Sequence, residues 1–332
     1  MKSVFLSFMF VLTLITPHFP SSVSLPFVVI HGIGQDCRVK KVSELINQLS
    51  HWSATDGYCI ESSHGKLSFW LLPLKDQAAI ACSKVKQMKE LNQGYNIIGL
   101  SQGNLIARSI IEFCDGAPKA NNFISLAGPH AGIGSPPFSL FRGMHFVATK
   151  LINFGIYRKF TQKNLAVSGY IKIPNNIPTY LENSKFLPKL NNEIPNERSS
   201  IYKERFKSLE NLVLIKFDNE HVLIPKETSW FGYYQDHSFR SVLPVRETKL
   251  FVEDWIGLKA LEEAGKVTYV TLPGDHLAIS DDGLKKYIVP FLKNKELTWH
   301  NATTPHVLLP DLKRILLRLK RQCPKDVQVL RR

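Results

Sequence analysis

Beyond its first two dozen residues the chain has no apolar run long enough to cross a bilayer, which excludes a polytopic helical membrane protein. It also lacks low-complexity tracts and internal repeats, which removes the disordered, fibrous and solenoid classes. Its five cysteines, Cys37, Cys59, Cys82, Cys114 and Cys323, include no CxxC and no tight Cys/His set. A zinc centre therefore has no support, and neither metal nor organic cofactor is expected. Acidic residues are scarce: 28 Asp and Glu face 42 Lys and Arg, for a formal charge of +14. That balance can suit nucleic acid or an anionic membrane surface. With 332 residues, 44% of them hydrophobic, the chain is long enough for one large core.

The first residues resolve part of the charge question. Lys2 precedes an apolar stretch, Val4 to Ile15, that is too short to span a membrane comfortably, and Ser21, Ser22, Val23 and Ser24 make a small-residue end. Residues 1–24 therefore read as a secretory signal peptide. Entry into the secretory pathway makes disulfides possible and argues against a nucleic-acid partner. The odd cysteine count leaves one thiol over. The mature domain is expected over residues 25–295, followed by a basic extension over 296–332. That tail carries Lys313, Arg314, Arg318, Lys320 and Arg321, with Leu312, Ile315, Leu316 and Leu319 at helical spacing. It is a candidate for peripheral contact with anionic lipid, or for a basic helix with solvated charges.

Strand and helix patterns alternate. Phe27 to Ile30 is a buried-strand pattern, as are Gly94 to Gly99, Asn122 to Leu126, Leu212 to Phe217 and Val267 to Leu272. Ser68 to Leu72 is a further candidate strand. Helices are predicted over Lys75 to Leu91, Asn104 to Cys114 and Ser280 to Leu292, the last opened by Ser280, Asp281 and Asp282. Such alternation predicts an α/β fold with a mostly parallel sheet and helices on both faces. Residues from about 128 to 208, rich in Pro, Asn and aromatics, break the rhythm and read as a lid-like insertion.

Gly99-Leu-Ser101-Gln-Gly103 is a G-x-S-x-G motif between an apolar strand and a helix, the nucleophile-elbow setting of α/β hydrolases. The serine must sit on a sharp turn, so its neighbours must be small. His31-Gly-Ile33-Gly34 follows the first core strand, and the N–H of Ile33 and the N–H of Gln102 are the predicted oxyanion hole. The chain order Ser, acid, His points to His276, in Pro273-Gly-Asp-His276 after a strand. The acid should follow Leu212 to Phe217, where Asp218 and Glu220 both qualify by position.

These pieces together resemble the palmitoyl-protein thioesterases, most nearly the plant-type members. The resemblance runs from about Phe27 to Leu292 through HGIG at His31, KVKQMKELNQGYN at Lys84 and GLSQGN at Gly99. It continues through IEFCDGAP at Ile111, SLAGPHAGI at Ser125, IPKETSWFGYY at Ile224 and GDHLAIS at Gly274. It implies hydrolysis of long-chain acyl thioesters on protein cysteines, so S-acylated proteins or peptides are the implied partners. It also implies a lysosomal, vacuolar or other lumenal setting. Ser101 becomes the nucleophile and His276 the base. The family's acid lies in an Asn-Asp-Ser-like triplet; here that place is Asn219-Glu220-His221, so Glu220 fills it, with Asp218 the fallback. The resemblance also implies a Cys82–Cys114 disulfide, while Cys37 and Cys59 are available as a second pair. Asn301-Ala-Thr303 is a glycosylation sequon.

Two other readings share these residues. A lumenal lipase or carboxylesterase would use the same triad on oxygen esters. A catalytically silent acyl-binding protein would keep only the groove. For the groove, Phe138, Leu140, Phe141, Phe146, Leu151, Ile152 and Phe154 are candidate walls.

Overall fold

The computed structural model describes residues 25–63, 68–135 and 155–293. The signal-peptide stretch, the groove-wall candidates Phe138 to Phe154, the sequon at Asn301, Cys323 and the basic tail lie outside the described residues.

Six parallel strands form one sheet in the order β2-β1-β3-β4-β5-β8. They are β1 (Phe27–Ile30), β2 (Gly57–Cys59), β3 (Tyr95–Leu100), β4 (Ala120–Leu126), β5 (Asn211–Phe217) and β8 (Val267–Leu272). A small antiparallel ribbon, β6 (Tyr233–Tyr234) with β7 (Val242–Leu243), lies apart. Every residue of β1 and β3 is buried. That is the physical meaning of their unbroken apolar runs: a parallel strand covered on both faces has no polar side to alternate with.

Two layers of helices cover the sheet. The helix α1 (Lys40–Ser53) lies beside β2 and the helix Asp281–Tyr287, and buries Val42, Ile46 and Leu49 at helical spacing. α3 (Leu74–Gln87), α4 (Gly103–Phe113) and the helix Ser199–Lys207 form the second packed group. This is the α/β-hydrolase fold that the alternating pattern predicts. The chain leaves β1 for β2 at the sheet edge, then returns to β3 on the other side of β1. The C-terminal ends of β1 and β3 thus flank a topological switch point, where α/β sheets open a crevice for ligands.

Some elements differ from the sequence expectations. Ser68 to Leu72 is not a strand: Ser68–Leu71 is a single helical turn, α2. A five-residue apolar run has no period that separates the two. Here the carbonyls of Phe69 and Leu72 accept from Gln77 Nε2 at 3.3 and 2.8 Å, so they need no sheet partner. The closing segment is helical over Asp281–Tyr287 and then tightens into a turn at Val289–Phe291, because Pro290 cannot continue the helix. Ser280 caps it, its hydroxyl accepting from the Gly283 N–H. The helix expected from Lys75 to Leu91 ends at Gln87, with a separate turn at Lys89–Leu91.

Two disulfides brace the frame. Cys82–Cys114 joins α3 to the end of α4, and Cys37–Cys59 joins the segment after the HGIG loop to the end of β2. Their sequence separations, 32 and 22 residues respectively, correspond to about 3 to 4 kcal/mol each in the chain-entropy model.

The described part of the insertion consists of short helices, among them Lys159–Asn164, Ile177–Asn183 and Leu187–Leu190. It is tied to α4 through Arg108, a fully buried guanidinium. Arg108 donates to Glu112 Oε1 (2.8 Å), Asn191 Oδ1 (2.8 Å) and the Leu190 carbonyl (2.9 Å), and lies over the Phe206 and Phe231 rings. Arg108→Ala would orphan the buried Glu112 carboxylate, and a loss of about 3–5 kcal/mol of stability is expected. Replacing Arg108 and Glu112 together by Met and Leu should cost less than the single change. Denaturant midpoints of the two variants check this.

Candidate active site

Ser101 directly follows β3 and begins the turn into α4. Its φ is +51°, a conformation that costs a non-glycine residue about 1 kcal/mol or more. The elbow is held by hydrogen bonds. The Ser101 N–H donates to the Leu126 carbonyl at 2.9 Å. Asn104, fully buried, donates from Nδ2 to the carbonyls of Ser101 (3.0 Å) and Leu126 (2.9 Å). The motif's second glycine is a matter of space. A Cβ on Gly103 would lie 2.3 Å from the Ile30 carbonyl oxygen and 2.4 Å from that of His31, and that backbone cannot move aside without shifting β1.

His276 sits in the loop after β8. Its Nε2 is 2.9 Å from Ser101 Oγ, and its Nδ1 is 2.6 Å from Glu220 Oε2. The tautomer follows from the partners. A carboxylate only accepts, so Nδ1 keeps its proton and donates a hydrogen bond to Glu220; Nε2 is then a lone pair facing the serine hydroxyl. Glu220 follows β5, and its side chain is fully buried. Burial pushes its carboxyl pKa up, but the hydrogen bond and charge of His276, with the N–H groups of Val222 and Leu223, outweigh that and hold it below the usual value.

Asp218, the other positional candidate, is elsewhere. Its Oδ1 accepts from the Gly274 N–H at 2.9 Å, so it fastens the loop that carries His276. Asn219 fastens the same loop from its side chain to Asp275 and from its N–H to the Gly274 carbonyl. Glu220 thus reaches the imidazole, and Asp218 reaches only the backbone that supports it.

The HGIG loop leaves β1 beside the elbow: a Cβ on Gly32 would be 3.2 Å from Ser101 Cβ. No backbone carbonyl among the described residues accepts from the N–H of Ile33 or of Gln102. The loop is braced by residues the sequence reading did not single out. Glu61 accepts from the Cys37 N–H (2.5 Å) with one oxygen and lies 3.3 Å from His31 Nε2 with the other. Phe69 meets the His31 ring edge-on, and Trp70 lies along Gly34. His31, Cys37 and Glu61 are close enough together to resemble a metal cluster, but the Cys37 sulfur is in the disulfide and is not a thiolate ligand.

A cavity of about 440 Å³ opens elsewhere, lined by Lys172, Glu193, Phe231, Tyr233 and Trp255 among others. Neither Ser101 nor His276 lines it.

A family model described as palmitoyl protein thioesterase matches residues 26–276, three quarters of the chain. The chain belongs to the palmitoyl-protein thioesterase family. Palmitoyl-protein thioesterase 1 of Caenorhabditis elegans is 35% identical over 283 residues, covering 80% of this chain and 92% of that protein. Palmitoyl-protein thioesterase 3 of Dictyostelium discoideum is 31% identical, covering 84% and 93%. The lysosomal thioesterase PPT2 of Homo sapiens is 25% identical, covering 75% and 80%. Among solved structures, carboxyl esterase 2 of Tuber melanosporum aligns over 82% of this chain and 79% of its own, with 11% identity and a TM-score of 0.45. The family match spans every element that carries a site residue, from β1 to the His276 loop.

Proposed function

We propose that the protein hydrolyses long-chain acyl thioesters on protein cysteines, with Ser101 as nucleophile, His276 as base and Glu220 as the acid. The observation that carries this reading is the unbroken contact chain Ser101–His276–Glu220, at 2.9 and 2.6 Å. As the Ser101 hydroxyl attacks the thioester carbonyl, its proton passes to His276 Nε2 and the tetrahedral oxyanion forms. The N–H groups of Ile33 and Gln102 receive that charge; losing one such donor typically costs about 3 kcal/mol. Collapse expels the cysteine thiolate, which takes the proton from His276, and leaves acyl-Ser101. Water, activated by His276, then releases the fatty acid. A thiolate leaves readily, so the imidazolium's help matters less than in amide cleavage.

The family membership and the two disulfides support a secretory route. The lysosomal names of some relatives support the lysosome or an equivalent acidic compartment. Among the described residues no helix is long and apolar enough to cross a membrane.

Turnover of palmitoyl-CoA and an S-palmitoyl peptide, against a matched oxygen ester, tests the reaction class. The thioesters should be preferred. Hydrolysis of the oxygen ester alone would replace this reading with a lipase or carboxylesterase. Glu61→Ala tests the loop brace: with His31 and Cys37 released, kcat should fall by up to roughly 100-fold through displaced geometry, with the fold retained.

A further inference from the structure

The helix Lys159–Asn164 in the insertion presents an arrangement that the triad does not explain. Phe160 stands 77% exposed on it, the most exposed large apolar side chain among the described residues. Thr161 and Gln162 on the same helix are buried and hydrogen-bonded inward, so the outward face is fixed by the fold. Around Phe160, Arg158, Lys159 and Lys163 are all exposed, and no ion pair engages any of them among the described residues. Lys185 and Lys75 border a depression shared with Gln162 and Leu165, which extends the cationic surface; Lys75 has only a long 3.9 Å pairing with Asp76. Between residues 155 and 190 there are six basic side chains and a single acid, Glu182.

This face is joined to the site. α2 packs on the turn Ala166–Gly169 that follows the helix; its Trp70 lies along Gly34 of the HGIG loop, and its Leu71 is 53% exposed. A residue of the loop beside Ser101 is thus linked, through α2 and the turn Ala166–Gly169, to the helix that bears Phe160.

We propose that the surface built by Phe160, Arg158, Lys159 and Lys163 docks on the face of a bilayer rich in anionic phospholipid. The charge complementarity selects the lipid, since unpaired lysines and arginines are each attracted to an anionic leaflet. The lone protruding ring supplies the apolar part that enters the headgroup boundary. The inference rests on the acyl-thioesterase reading for its purpose: a cysteine-linked palmitoyl chain lies in a membrane, and docking brings the serine to it.

The test is co-sedimentation of the full secreted chain with phosphatidylcholine vesicles, alone or with one lipid in five phosphatidylserine. The wild type should bind the anionic vesicles and not the neutral ones. Lys159→Gln with Lys163→Gln should weaken binding about 25-fold, from about fivefold per basic residue at an anionic leaflet. Phe160→Ser should weaken it roughly tenfold. Both variants should hydrolyse a water-soluble short-chain thioester as the wild type does, and hydrolyse vesicle-embedded S-palmitoyl peptide more slowly. Absence of wild-type binding to the anionic vesicles would overturn the proposal. So would binding that both variants retain in full, which would place the contact elsewhere, such as the basic C-terminal residues. Vesicle binding is read without turnover, so an inactive protein that binds as described would remove the thioesterase reading and leave the surface standing.

Discussion

Ser101→Ala is expected to lower thioester turnover by roughly 10⁶-fold while leaving the protein folded, because nothing else in the site can attack the carbonyl. The change is conservative for the fold. Alanine keeps the Cβ that already fits beside Gly32, and the elbow is held by backbone and Asn104 hydrogen bonds that do not involve Oγ. Steady-state hydrolysis of palmitoyl-CoA beside a circular-dichroism melt checks both halves. A variant that keeps a tenth of the activity would remove Ser101 from the nucleophile's role, and an unfolded variant would say nothing of chemistry. Asn104→Ala supplies the complementary result: the nucleophile stays and its seat loosens, so stability and kcat fall together.

The second large effect is expected at Glu220. Glu220→Gln removes the charge that sets the His276 tautomer and stabilises imidazolium, and kcat should fall by about 10⁴-fold. Asp218→Asn should cost only a few-fold, because the Asp218 carboxylate accepts a backbone N–H and does not touch the imidazole. Equal losses in the two variants would mean that both carboxylates act on His276. Stability adds an independent reading. The folded-state pKa of Glu220 is depressed below 4.5, so its ionisation stabilises the native state above that pH, and the contribution is lost as pH falls through the lower folded value. Wild type should therefore lose stability on acidification below about pH 4.5 more steeply than Glu220→Gln.

How much of this was legible depended on whether a residue's role is local. Ser101 and His276 were readable because each sits at a strand end in a short turn, and the turn's own chemistry marks it. By position alone Glu220 is one of two acids, and only the family resemblance puts it ahead of Asp218. What separates it from Asp218 is the path of the chain after Phe217, where the N–H groups of Val222 and Leu223 turn the Glu220 side chain inward. No residue spacing encodes that turn. The aromatic run at Ser68 reads as a strand in the sequence, because the partners that make it helical, His31, Gly34 and Gln77, come from elsewhere in the chain. β2 escaped notice because three residues carry no period.

Arg108 and Asn104 were missed for a different reason, and here a signal existed. Ten of the eleven residues of α4 are buried, so the helix is covered nearly all round. A helix of that kind has no solvated face on which an Arg at 108 and a Glu at 112 can sit as an exposed pair. Their i, i+4 spacing inside an apolar stretch marks a buried ion pair. Asn104, one turn past the serine, could have been found the same way, as a polar side chain in a position where only a hydrogen bond to the elbow would satisfy it.

The measurement that tests the central claim most directly is the mass of the enzyme trapped during turnover. Wild-type protein mixed with palmitoyl-CoA, quenched in acid and digested should carry a palmitoyl group on the peptide containing Ser101, and Ser101→Ala should carry none. Thioester turnover by the wild type with the acyl group on another residue, or with the adduct persisting in Ser101→Ala, would contradict the account.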